Sequence, residues 1–140
     1  MSHKNFFLSC FTQIWYLSMF CLGSCIMNPM LLEYYNITPE KSSLFGLIGA
    51  VSFLMTTPVA FFLRNCGVSR RSIIFLALTF MSVGLVIRTG NMQWLTEDSH
   101  IVMVYTGNFI NGGSLALLTT TVLPEMLDSL EQMEDYHEYD

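Results

Sequence analysis

Gln13, Tyr16, Ser24 and Asn28 recur at near-helical spacing inside a run of chain, Asn5 to Leu32, that carries no charged side chain. A second uncharged run, Ser99 to Pro124, holds Tyr105, Asn108, Asn111 and Ser114 as a row with i, i+3 spacing. Amide and phenol groups are costly to place in hydrocarbon unless they face protein or water. Two arrangements meet that demand. The groups line an aqueous cavity and touch a small solute there, or they bond one helix to another for ~1–2 kcal/mol at most. Both readings stay open on these residues alone. The sequence contains no nucleophile with a partnered base, no metal-ligand spacing and no phosphate-cradling loop, and His137 stands alone among carboxylates. An enzyme is therefore not expected, nor is a cofactor or a metal.

The elements that must position these residues follow from composition. The 140 residues are 52% hydrophobic and only 12% charged, whereas soluble domains carry about a quarter charged residues. Four windows lack any charge: Asn5 to Leu32, Ser42 to Leu63, Ser72 to Ile87 and Ser99 to Pro124. Each approaches the ~20 residues that span a bilayer. The expectation is an all-α, polytopic membrane protein with four transmembrane helices at about 5–35, 39–63, 72–88 and 100–124, followed by an acidic tail or loop over 125–140. The bilayer is its first partner, and nothing in the charge pattern suggests nucleic acid.

The stretch Leu63 to Ser72 orients the chain. It holds Arg64, Arg70 and Arg71, three of the six Lys and Arg residues, and short basic loops are retained on the cytoplasmic side. Four spans then put both termini in the cytoplasm. The net charge of −5 belongs to the tail, because acidic residues cluster from Glu125 to Asp140. Cys10, Cys21 and Cys25 lie in the first apolar run and Cys66 in the basic loop, so no disulfide is expected. The first run is read as a retained helix rather than a cleaved signal.

Local signals refine the picture. Pro29 and Pro58 are expected to kink the first and second helices, with the hydroxyls of Thr56 and Thr57 satisfying freed carbonyls. Tyr34 and Tyr35 suit an interface, and Asn36-Ile37-Thr38 has the form of an unused glycosylation sequon. Thr38 is placed to cap the second helix with Pro39 at its first position. Gly46, Gly49 and Ala50 give that helix a small-residue face. Arg88 and Trp94 are expected at the far interface of the third helix, and His100 as a solvated residue at the mouth of the fourth. Gly112-Gly113 permits close packing or bending.

Asn28-Pro29 with Leu31, Leu32 and Glu33, then Ile37-Thr38-Pro39, Leu44 to Ala50, Thr57-Pro58 and Leu123-Pro124-Glu125-Met126-Leu127, resemble in order and spacing the major facilitator superfamily, in its vesicular amine and polyamine transporter branch. The resemblance covers nearly the whole chain and corresponds to helices seven to ten of the family's twelve, a partial major-facilitator fold. It implies that the first and fourth helices here line the central cavity, as the first helix of each inverted repeat does. Gln13, Tyr16, Ser24, Asn28, Tyr105, Asn108 and Asn111 are the cavity candidates. It further implies a cytoplasmic gate, to which Gly67, Arg70 and Arg71 correspond, while Leu63 and Arg64 leave the family's acidic position unfilled. Glu125, at the inner end of the fourth helix, is expected near Arg64, Arg70 or Arg71 as a latch.

The expected function is therefore part of a secondary transporter moving a small-molecule solute by alternating access. Its partners would be the missing transporter helices or another membrane chain, because four helices cannot build the family's two-halved cavity. The alternative is a four-helix membrane scaffold or assembly subunit.

Overall fold

The computed structural model describes residues 2–33, 36–89 and 97–137, and some side chains within its helices, Ser24, Asn28 and Glu125 among them, lie outside the description. The expected Tyr34, Tyr35 and Trp94 interface residues also fall outside it. The described chain is helical throughout its ordered elements: α1 (Ser2–Glu33), α2 (Pro39–Asn65), α3 (Arg70–Thr89) and α4 (Glu97–His137).

Three of these helices contain segments long and apolar enough to cross a membrane: Pro39–Asn65, Arg70–Arg88 and Ser99–Asp128. The apolar segment described in α1 is shorter, Phe6–Cys21. Large apolar side chains point outward on every helix. Phe7, Trp15, Leu54, Phe62, Phe75 and Val102 are all more than half exposed. A water-soluble protein rarely exposes so much contiguous apolar surface, which suits a hydrocarbon surround.

Helix ends follow local chemistry. Pro39 occupies the start of α2, where its missing N–H costs nothing. Thr38 has extended backbone but makes no side-chain capping bond, so the cap expected of its hydroxyl is absent; its carbonyl instead accepts the Ser42 N–H at 3.0 Å. At the other end of α2, Gly67 adopts φ +78°. The Gly67 N–H donates to the Arg64 carbonyl and the Val68 N–H to the Leu63 carbonyl, a Schellman stop that favours glycine. Ser69 then caps α3, its hydroxyl accepting the Ser72 N–H at 3.2 Å.

The prolines do not end their helices. α1 runs through Pro29, α2 through Pro58 and α4 through Pro124. The Thr57 hydroxyl donates to the Phe53 carbonyl at 2.8 Å, one residue short of the Leu54 carbonyl that Pro58 leaves without its helical donor. α4 continues past Pro124 to His137, so the acidic segment begins as an extension of the helix.

α4 is the central element, packed on α3, α2 and α1. Two glycine crossings draw its neighbours in. A Cβ on Gly107 would stand 2.6 Å from the Gly84 carbonyl oxygen and 2.8 Å from the Arg88 nitrogen, so α3 and α4 meet backbone to backbone. Gly112 is pressed against the Gly49 carbonyl of α2 in the same way. Small residues at contacts are how apolar helices pack without a hydrophobic drive between them. The face expected from Gly46, Gly49 and Ala50 is used only at Gly49, for Gly46 has no neighbouring atom within 4 Å and Ala50 is exposed.

Candidate functional site

Along α4 the buried surface changes character twice. Val104, with Ile101 and Tyr105, joins Ile37 and Phe45 in one apolar cluster. Leu117, Leu118 and Val122 join Tyr16, Ala60, Ile73 and Ala77 in another. Between them along the helix stand Asn108, Asn111 and Ser114, all buried. These three are separated by i, i+3 steps, so one face of α4 presents a polar layer between two apolar ones.

The helices around that layer supply the rest. Tyr16, from α1, is 3% exposed and donates its hydroxyl to the Asn111 backbone carbonyl at 3.2 Å. From α4, Asn108 donates its amide Nδ2 to the Phe45 carbonyl of α2 at 2.5 Å. Ser52 of α2 returns a bond to the Phe109 carbonyl at 2.5 Å. Of the two arrangements open from the sequence, these bonds tie helix to helix. They do not use all the polar atoms, however. Asn108 Oδ1, Asn111 Oδ1 and Gln13 Oε1 are buried without a hydrogen-bond partner among the described residues.

Arg88 changes the character of the layer. It was expected at an interface, in contact with water, yet it is only 4% exposed. Side chains on a helix lean toward its N-terminus, and here that lean carries the guanidinium back into the bundle. Its Cζ lies 5.2 Å from the Phe45 ring centroid. A Cβ on Gly23 of α1 would meet Nη2 at 2.8 Å, so the glycine is what admits the guanidinium. Nη2 has no hydrogen-bond partner among the described residues. Arg88, Tyr16, Phe20, Leu85 and Asn111 line a crevice of about 10 Å³, with Met19 at its exposed side, room for about one water.

A larger groove of about 480 Å³ lies between α2 and α4, lined by Phe20, Phe45, Gly46, Gly49, Ala50 and Asn108 among others. It is largely apolar and touches the polar layer through Asn108. A further crevice of about 310 Å³ separates α2 from α3 above Gly113 and Ser114.

The remaining sequence candidates distribute themselves as follows. Tyr105 is half-buried and donates its hydroxyl to the Lys41 carbonyl at 2.7 Å, tying α4 to the start of α2, with its ring 6.2 Å from that of Phe45. Gln13 is half-buried on α1. The side chains of Ser24 and Asn28 lie outside the described residues, as does that of Glu125, so the Glu125 latch is not described. A different pair occupies that end of the bundle: Arg70 Nη2 stands 3.5 Å from Asp128 Oδ2, with both side chains about half exposed. Asp128 is three residues beyond Glu125, on a similar face of α4. Arg64 and Arg71 are exposed, and Gly67 serves the helix stop. Among the described residues, no three His, Cys, Asp or Glu side chains gather as a metal site.

Arg88 escaped the sequence reading because it ends an apolar run, where arginine ordinarily reaches water. The signal that could have found it is Gly84, one turn earlier on the same face, a small residue with no other evident task. Compared with known proteins, the chain matches no protein family, no curated protein and no solved structure.

Proposed function

We propose that this chain forms part of a facilitator-type secondary transporter that moves a small solute across a membrane by alternating access. In this reading α1 supplies a fourth span and both termini lie on the cytoplasmic side. The observation that carries it is the buried polar layer of Tyr16, Arg88, Asn108 and Asn111 inside a bundle whose outer surface is apolar. Ionisable groups held inside membrane helices mark solute and ion pathways, and Arg88 is such a group. The Arg70–Asp128 pair, at the end with the basic turn, suits a gate contact, since an exposed pair is weak enough to break and re-form.

The test is accessibility of a cysteine introduced at Ala50, in the groove beside Asn108, after the four native cysteines are replaced by serine. In sealed vesicles carrying the full native protein, a membrane-impermeant maleimide should label this site, and an imposed proton or sodium gradient should change the labelling rate several-fold. A rate indifferent to side and gradient would count against alternating access.

A scaffold or assembly role is the second reading, favoured by the open small-residue surface at Gly46 and Ala50. Such a surface accepts a further helix. Under that reading Gly46→Leu abolishes co-purification of a membrane partner, and in the complex without that substitution the Ala50 site stays unlabelled.

A further inference from the structure

Arg88 is a buried positive charge with no negative partner among the described side chains. The carboxylates whose side chains are described, Glu33, Glu40, Asp128 and Glu131, are all exposed, and the described ion pair belongs to Arg70 and Asp128. A lysine in this position could shed its proton, but arginine holds its charge. Buried charges are ordinarily paired, and an anion is the group that would answer this one. Phe45 serves one face of the guanidinium, and Nη2 has no hydrogen-bond partner among the described residues. An N–H of that group can make a charge-assisted bond to one carboxylate oxygen.

The space beside it sets the size of the guest. The crevice at Arg88 holds about 10 Å³, enough for one water-sized group such as a single carboxylate oxygen and too small for a phosphate-sized head. Its mouth is at Met19, the exposed side chain of its lining. At its floor the Asn111 amide has its Oδ1 unpartnered, and a half-turn of that amide presents two N–H donors instead.

We propose that Arg88 is the binding centre for a single carboxylate, received between α1 and α3 through the mouth at Met19. The carboxylate belongs either to a free monocarboxylate solute or to an acidic side chain brought in by another protein segment. The inference concerns equilibrium binding and does not depend on transport, so it can fail while the transport reading survives, and the reverse.

The experiment uses the full chain purified in zwitterionic nanodiscs, with thermal unfolding followed in sodium acetate and in matched sodium chloride. If the carboxylate is a free solute, acetate raises the Tm by about 3 °C or more over chloride, as expected for a ligand that binds only the folded state. Arg88→Gln then loses that increment, because the amide carries no charge. If the carboxylate comes from protein, acetate has no effect, and Met19→Glu raises the Tm while failing to do so when combined with Arg88→Gln. Should the Arg88 variants not fold, Met19→Glu alone still decides, because a glutamate in an apolar crevice raises the Tm only if a cation awaits it. An equal acetate shift with and without Arg88, or no acetate shift together with a lower Tm for Met19→Glu, would overturn the proposal.

Discussion

Arg70 and Arg88 are the same residue type at opposite ends of one helix, and they live in opposite conditions. Arg70 stands in the first turn of α3, where the helix dipole disfavours a cation. Exposure relieves it, since water screens the charge and Asp128 of α4 sits 3.5 Å away. Arg88 stands in the last turn, where the dipole favours a cation, yet it is 4% exposed and has no ion-pair partner among the described residues. Position on the helix therefore counts for less than access to water. One arginine makes an adjustable contact between helices, and the other makes an unmet electrostatic demand.

The strongest way to break this contrast is at the helix crossing that holds Arg88 inside. Gly107→Val would drive its side chain into the Gly84 carbonyl and the Arg88 backbone, 2.6 and 2.8 Å from the new Cβ. Overpacking against backbone cannot relax by a rotamer change, so a loss of about 3 kcal/mol is expected, read as a large fall in Tm and in monodisperse yield. Less severe, and opposite in sign, is Arg88→Met. Replacing an unpaired buried charge by an apolar side chain of similar length should stabilise the chain by up to ~2 kcal/mol in buffer free of carboxylate. A clear drop in Tm would mean that the guanidinium is already satisfied.

Tyr16→Phe comes next. It removes the buried hydroxyl bond to the Asn111 carbonyl and should cost about 1 kcal/mol in thermal unfolding. Smallest is Arg70→Ala, which should cost no more than ~1 kcal/mol, an effect that fades in high salt because the pair is exposed. The salt dependence sharpens the comparison, since the stability change on Arg88→Met should vary little with inert salt.

The helical class was legible because four long uncharged windows leave few alternatives, and the start of α2 was legible because Pro39 acts through its own backbone limits; the stop at Gly67 was not read from the sequence. Asn108 and Asn111 were legible as buried, since amides in an apolar run must find partners. Which partners they found was not legible. Asn108 bonds the carbonyl of Phe45 in α2, and a backbone carbonyl as partner leaves no mark in the residue types of that helix. Likewise the pairing of Arg70 with Asp128 was not legible, because it depends on where the extension of α4 beyond Pro124 passes the start of α3.

By itself, the sequence determined the quantities that depend on neighbours along the chain: helix content, the start of α2 at Pro39, an apolar exterior, and the identity of the polar residues that apolar runs must hide. Tertiary structure decided what depends on the approach of separate helices. The close passage of Gly107 against Gly84 and the gap at Gly23 let Arg88 fold inward rather than out to water. No spacing along one helix encodes that choice, because it rests on how much room two other helices leave, and glycine creates room only where another backbone arrives to use it.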